Sequence, residues 1–211
     1  MTQNQIKYLA TVLMVIDHIG LILNIWQLRL IGRLSYPMFC WVLARNWERK
    51  DGKSSYSLMS RLLIFGIISQ IPYSLMTNRL ELNILLSFLI AVMTFTEIHK
   101  TKNKLIFLIL GMIAAQILNA SYGWFAVICP LLMLNFKGNG SKQWWFCWGV
   151  ANIAFTLTSG YLPQILATLT PLILSYHNPA KDKKPGEVEK KFFYYFYPIH
   201  VAGLAALRTI I

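Results

Sequence analysis

Residues 6–25 read IKYLATVLMVIDHIGLILNI, a run that is long and apolar enough to cross a bilayer as a helix. Asp17 and His18 stand side by side within this run. An ionisable residue inside a membrane span is costly, and such residues usually belong to a functional site. We therefore predict that the other helices of the protein are arranged around this pair.

The composition of the whole chain is typical of a membrane protein. Of its 211 residues, 56% are hydrophobic and 13% are charged, and the mean hydropathy is +0.50. A chain that spans a bilayer is either helical or a closed barrel, and the apolar runs here lack the residue-by-residue alternation of barrel strands. The sequence predicts an all-α, polytopic helical membrane protein that forms a single integral membrane domain over residues 1–211.

About nine stretches are predicted to be transmembrane helices. They are residues 6–25, 28–44, 57–76, 82–98, 104–119, 122–136, 143–158, 160–176 and 191–210. The fifth to eighth are short, so some of them are expected to be tilted, thinly spanning or re-entrant.

The basic residues predict the orientation of these spans. Fifteen of the twenty Lys and Arg residues fall at one set of span ends, and only Arg29, Arg79 and Arg208 fall at the other. The positive-inside rule then places the N-terminus in the cytoplasm and the C-terminus outside, in a multi-pass protein of the cell membrane. The same asymmetry accounts for the net charge of +12, so we expect lipid rather than nucleic acid around the chain.

Five ionisable side chains are predicted to lie inside the membrane. With a helix rise of about 1.5 Å per residue, Asp17, His18, Arg33 and His200 reach similar heights, and Arg61 lies in the inner third. Unpaired, each would cost about 2.5–3.5 kcal/mol, so they should face inward and pair with one another. An Asp17–Arg33 pair is the simplest arrangement. Arg33 could be purely structural, and Arg61 could extend to the inner surface or bind a phosphate.

His18 is the main candidate for chemistry because an imidazole accepts a proton readily near neutral pH. Lys7 precedes it by eleven residues, which places both side chains on one face of the helix, about 16 Å apart along its axis. Lys7 could hold the phosphate of a long anionic donor that reaches His18. Alternatively, His18 packs in the core and Lys7 is an ordinary anchor at the membrane surface.

Other polar positions lie near the predicted outer ends of spans. Gln70, Asn83, Tyr122 and Trp124 could line the entrance for an acceptor, and they could equally be interface anchors and helix caps. His200 follows Pro198, whose kink frees backbone groups and indicates a cavity. No group of His, Cys, Asp or Glu has the spacing of a metal site, so no metal is expected.

Six short motifs together resemble the TraX family. In chain order they are Ile16–Gly20, Ile31–Phe39, Ile68–Tyr73, Leu82–Leu85, Tyr122–Trp124 and Tyr197–His200. The founding member of that family acetylates the amino terminus of pilin at the inner membrane, so the resemblance implies acetyl-CoA as the donor. It also adds Ser35 to the substrate-binding candidates and Tyr197 to the donor-binding candidates.

A more distant likeness is to the acyltransferase family 3 membrane enzymes. Their first helix carries a basic residue, ten further residues and a catalytic histidine, a spacing that Lys7 and His18 reproduce. The chain departs from each family at one point. Ser121 occupies a position before Tyr122 where the TraX resemblance implies an acid, and Arg29 and Arg33 do not have the spacing of the arginine pair of the acyltransferase family 3 enzymes.

The predicted function is transfer of an acetyl group from cytoplasmic acetyl-CoA to an acceptor, either a pilin-like N-terminus or a surface glycan. His18, Asp17, Arg33 and His200 are the catalytic candidates. Lys7, Arg61 and Tyr197 are expected to bind the donor. The alternative is a transporter or an assembly factor for a surface component, in which the buried charges relay protons.

Overall fold

A computed structural model describes residues 1–49, 55–183 and 186–210, and within these ranges the chain is helical and has no β-strand. The helices are α1 (Gln3–Ile22), α2 (Trp26–Gly32), α3 (Ser35–Glu48), α4 (Ser55–Thr77), α5 (Ile84–Lys100), α6 (Lys104–Ile117), α7 (Phe125–Leu134), α8 (Lys142–Ser159), α9 (Thr170–Leu174) and α10 (Glu187–Arg208). Leu162–Leu169 and Pro179–Lys181 form 3-10 helices. The all-α prediction is confirmed. Lys50, Lys53 and Lys184, which contribute to the predicted cytoplasmic charge, lie outside the described residues.

Two helices are long and apolar enough to cross a membrane within the described ranges, namely Gln3–Ile22 and Tyr56–Thr77. The number of nine spans is therefore not confirmed. The second predicted span is divided into α2 and α3 by a turn at Arg33 and Leu34. The eighth is a 3-10 helix followed by the short helix α9, so neither is one continuous helix.

The chain forms two compact units. The first comprises Met1–Val42 and Asn135–Phe193, and the second comprises Leu43–Leu134 and Tyr194–Ile211. The single membrane domain over residues 1–211 stays a prediction.

The first unit is built on a tight hairpin of α1 and α2. Thr2 and Gln5 form a capping box that begins α1, and the chain reverses through Asn24, whose φ of 55° is left-handed. The two helices touch through glycine at both ends of the hairpin. A Cβ at Gly20 would lie 2.8 Å from Leu28 Cβ, and one at Gly32 would lie 2.3 Å from Asp17 Cβ. This close approach brings the residues after Gly32 against the middle of α1.

The second unit packs α4, α6 and α7 around α5. Val92 and Phe95 of α5 are buried, and Ala115, Ala120 and Val127 form a further apolar cluster between α6 and α7. The connections before α5 and after α6 meet in a short parallel bridge between Leu82 and Ala120. The loops that carry the predicted outer residues are thereby held together.

Candidate functional site

The centre of the first unit is a buried ion cluster around Asp17. Arg33 Nε donates to Asp17 Oδ1 at 3.0 Å, and Arg33 Nη2 donates to Oδ2, so the contact is bidentate. Both residues are 7% exposed. Bidentate Arg–carboxylate contacts combine charge with fixed geometry. The structure therefore contains the Asp17–Arg33 pair that depth in the helix predicts.

Arg29 is a second cation of this cluster. Its Nε lies 3.4 Å from Asp17 Oδ1 and donates to the Tyr161 hydroxyl at 2.9 Å. The guanidinium carbons of Arg29 and Arg33 lie 5.3 and 5.2 Å from the centre of the Tyr161 ring, which is cation–π distance. These four side chains carry two positive charges and one negative charge, so the cluster presents an excess positive charge.

Arg29 and Tyr161 were not among the residues that the sequence singled out. Arg29 was assigned to the outer surface because it lies near a predicted span end. Its spacing of four residues from Arg33 places both arginines on one face of α2, and that signal could have identified it. Tyr161 carries no comparable sequence signal, because it lies in the turn after α8.

His18 and Lys7 both lie on α1 and are partly buried. His18 directly follows Asp17, so the ion cluster fixes the helix turn that carries its imidazole. Lys7 Nζ lies 5.1 Å from the centre of the Phe193 ring, and the neighbouring Tyr8 ring lies 4.9 Å from the same ring. Ser35 is buried at the start of α3, two residues beyond Arg33.

A cleft of about 370 Å³ lies beside the start of α1. Its polar lining comes from Asn4, Gln5, Lys181, Lys183 and Glu189. The first turn of α10 also packs here, since Asn4 Nδ2 donates to Glu189 Oε2 at 3.1 Å. The two lysines carry the positive charge that makes this cleft suitable for an anionic group.

His177 and Asp182 are in contact near this cleft, with His177 Nε2 3.0 Å from Asp182 Oδ2. Asp182 Oδ1 also accepts from the backbone N–H of Gln3 at 2.7 Å, and the Trp41 ring packs edge-on against His177. Sequence reasoning assigned His177 no role. These contacts indicate a structural role: His177 and Asp182 hold the segment before α10 against the start of α1.

In the second unit, Gln70 and Asn83 form one buried polar network. Gln70 Oε1 accepts from Asn83 N at 3.0 Å and from Asn83 Nδ2 at 2.9 Å. Asn83 Nδ2 also donates to Gly66 O at 2.7 Å, and Asn83 Oδ1 caps α5 at Leu85 N. The sequence left open a cap or a binding role for Asn83, and the structure contains the cap.

Tyr122 and Trp124 form the turn before α7. Tyr122 and Gly123 have φ values of 68° and 49°, and Gln116 Oε1 accepts from Trp124 N at 3.3 Å. A Cβ at Gly123 would lie 2.5 Å from that same Gln116 oxygen, so the turn requires glycine.

Ser121 occupies the position where the sequence predicts an acid, and hydrogen bonds through Tyr73 connect it to the carboxylate of Glu81. Its Oγ lies 3.4 Å from the Tyr73 hydroxyl, which donates to Glu81 Oε1 at 2.7 Å. A carboxylate is thus present in this part of the second unit, although it comes from the loop before α5.

The remaining predicted residues of the second unit pack among aromatic rings. Arg61 Cζ lies 5.3 Å from the centre of the Tyr194 ring, and the Phe196 ring stacks on His200 at 5.3 Å. Tyr197 is 6% exposed. In the parts of the chain that the structure describes, no three His, Cys, Asp or Glu side chains are grouped to hold a metal ion.

The fold and this site define an all-helical protein that has helices able to span a membrane and a buried acid–arginine cluster. The chain belongs to the TraX family, because residues 2–208 match the family described as TraX protein.

Two relatives place the chain within this group. It is similar to the probable fimbrial assembly protein FimC, serogroup H1, of Dichelobacter nodosus, at 25% identity over 98% of this chain and 96% of that protein. It is also similar to Protein TraX of Escherichia coli, at 35% identity over 61% of this chain and 52% of that protein. No solved structure matches the chain.

Proposed function

We propose that this protein is a multi-pass membrane acetyltransferase that moves an acetyl group from cytoplasmic acetyl-CoA to a pilin-like N-terminus or a surface glycan at or beyond the membrane. Membership of the TraX family supports this proposal, as does the similarity to a protein named for fimbrial assembly.

The observation that carries the proposal is that α1 connects two features, a cleft at its start and the buried ion cluster in its second half. The cleft with Lys181 and Lys183 lies at its start, and Asp17 of the buried ion cluster lies about 15 residues further along the helix. Lys7 lies between the cleft and Asp17, and His18 directly follows Asp17. A donor that carries phosphates at one end and a thioester at the other matches this order.

The donor's phosphates would be held by Lys181 and Lys183, which we add to Lys7, Arg61 and Tyr197 as donor-binding candidates. The two lysines line a cleft beside the start of α1, and their charges favour phosphate. Lys7 stacks on Phe193 and Arg61 stacks on Tyr194, so each predicted cation is oriented by an aromatic ring.

His18 is proposed as the general base. It removes a proton from the attacking amine or hydroxyl, a new bond to the acetyl carbonyl carbon forms, the carbon–sulfur bond breaks, and the CoA thiolate takes up a proton. Arg33 and Arg29 supply the excess positive charge that would stabilise the oxyanion, and Asp17 holds them in place. His200 is a further group able to carry a proton.

The acceptor would be bound by Ser35, Gln70, Asn83, Tyr122 and Trp124. Ser35 lies in the first unit, two residues beyond Arg33. The other four lie on the connected loops of the second unit or on the helices beside them.

The test is transfer of labelled acetyl from acetyl-CoA to a pilin-like peptide by the purified protein in nanodiscs. His18→Ala should abolish transfer, whereas His99→Ala, at the end of α5, should retain it. Transfer at the wild-type rate by His18→Ala would refute the role of His18.

The second candidate is a non-enzymatic transporter or assembly factor, which the buried charges and the similarity to a fimbrial assembly protein favour. Thermal unfolding with and without acetyl-CoA separates the two functions. Stabilisation by acetyl-CoA supports the enzyme, and no shift in a folded sample supports the alternative.

A further inference from the structure

Three buried polar side chains of α8 and the 3-10 helix Leu162–Leu169 have atoms without a hydrogen-bond partner among the described residues. Gln164 is 0% exposed, and neither its Oε1 nor its Nε2 is paired. Asn152 is also 0% exposed; its Nδ2 donates to Trp148 O at 2.8 Å, but its Oδ1 is unpaired. The hydroxyl of Thr156 is unpaired as well. Buried groups of this kind are rare in native proteins, because each loses its bonds to water without replacement.

Helix geometry places the three side chains within about 6 Å of one another along the axis of α8. Trp148, Asn152 and Thr156 recur every four residues on the buried face of α8, and Trp148 Nε1 donates to Thr168 O at 3.0 Å. From that bond, Asn152 lies about 6 Å and Thr156 about 12 Å further along α8. The 3-10 helix runs back antiparallel with a rise of about 2.0 Å per residue, which places Gln164 about 8 Å from Thr168, between the other two.

This amide cluster, defined by Asn152, Thr156 and Gln164, adjoins the buried ion cluster. Tyr161 is the residue directly before the 3-10 helix, and Gln164 lies in the first turn of that helix, which packs against α2. Gln164 N donates to Tyr161 O at 3.1 Å, in agreement with that turn. The Tyr161 ring is the one that contacts Arg29 and Arg33. A ligand at the amide cluster would therefore lie beside the charges around Asp17.

We infer that the amide cluster binds a secondary amide of a substrate. A secondary amide has one N–H and one C=O, and the carboxamide of Gln164 pairs with both. The Thr156 hydroxyl can donate a second bond to the amide oxygen, and the second N–H of Gln164 can donate to the Asn152 oxygen. The three side chains carry no charge, which favours a neutral group. Two substrates of the proposed reaction contain this group, namely the pantetheine arm of the donor and the peptide backbone of the acceptor. The choice between these sources rests on the proposed function.

The test compares Gln164→Met and Thr156→Val with Thr158→Val, which makes the same change as Thr156→Val on the exposed face of α8. Binding of pantetheine and of trialanine is measured on the full chain in nanodiscs, together with the midpoint of thermal unfolding. We expect Gln164→Met and Thr156→Val to weaken binding of one probe about tenfold or more, with an unchanged or higher midpoint. The probe that is affected identifies the source of the amide.

Other outcomes overturn the inference. If neither probe binds the wild-type protein, the cluster is no amide site. If Gln164→Met lowers the midpoint while probe binding is unchanged, the cluster holds structural water. If Gln164→Met does not fold, Thr156→Val decides by the same criteria. Acetyl transfer by the wild-type protein is measured in the same preparation, so loss of the proposed function with intact probe binding is distinguished from failure of the amide site.

Discussion

Removal of the Asp17 charge should destabilise the protein strongly. Asp17→Asn keeps the size of the side chain but leaves the guanidinium groups of Arg33 and Arg29 without the carboxylate that both face. The Asp17 and Arg33 side chains are only 10% and 9% exposed, so water does not compensate. Breaking a buried pair by removing one partner costs about 3–5 kcal/mol, a large part of the total stability of a domain.

A double substitution should reverse most of this loss. Asp17→Leu combined with Arg33→Met replaces the pair by apolar groups, which is often neutral or stabilising by about 1–4 kcal/mol relative to the native pair. Arg29 keeps its bond to Tyr161 in this variant. The double variant should therefore fold and yet lack transfer activity.

Reversible unfolding in detergent, followed by circular dichroism, measures both effects. The control is Glu97→Gln, which breaks the exposed Glu97–Lys100 pair and should leave stability unchanged. A loss of less than about 1 kcal/mol for Asp17→Asn would refute the reasoning, since losses of that size are typical of surface pairs. A double variant no more stable than Asp17→Asn would refute it equally.

Three further predictions concern the parts around this pair. Gly32→Ala should lower the unfolding midpoint sharply because its Cβ would lie 2.3 Å from Asp17 Cβ, whereas Gly149→Ala, with open space around it, should raise the midpoint slightly. Replacing both Lys181 and Lys183 by Ala should raise the KM for acetyl-CoA about tenfold, with kcat unchanged, in the transfer assay. Asn83→Ala should cost about 2 kcal/mol of unfolding free energy, because it removes the cap of α5 and the bonds from Asn83 Nδ2 to Gln70 Oε1 and Gly66 O.

The Asp17–Arg33 pair could be predicted because depth follows directly from position in an apolar helix. Two opposite charges at the same depth in the membrane have few other partners available, so they are expected to pair with each other. Arg29 escaped this reasoning because its place near the end of the second predicted span assigns it to the membrane surface. The bond from Arg33 N to Arg29 O at 3.2 Å keeps the helical spacing that brings the two arginines together.

The amide cluster could not be predicted because it depends on a 3-10 helix. Gln164 recurs with Ala167 and Thr170 at a period of three, which a search for the α-helical period of 3.6 does not detect. Within an apolar segment, a single Gln and a single Asn are also unremarkable. Gln164 and Asn152 are brought to similar positions by the alignment of α8 with the 3-10 helix, which the Trp148–Thr168 bond fixes.

The contact between Gly32 and α1 has a consequence for how this protein can change over time. Because the backbone at position 32 rests on the Cα and Cβ of Asp17, the carboxylate cannot be moved by a longer side chain without separating the two helices. Asp17→Glu should thus be as poorly tolerated as the loss of the acid. Relatives that alter one of positions 17, 32 and 33 are therefore expected to have altered the others.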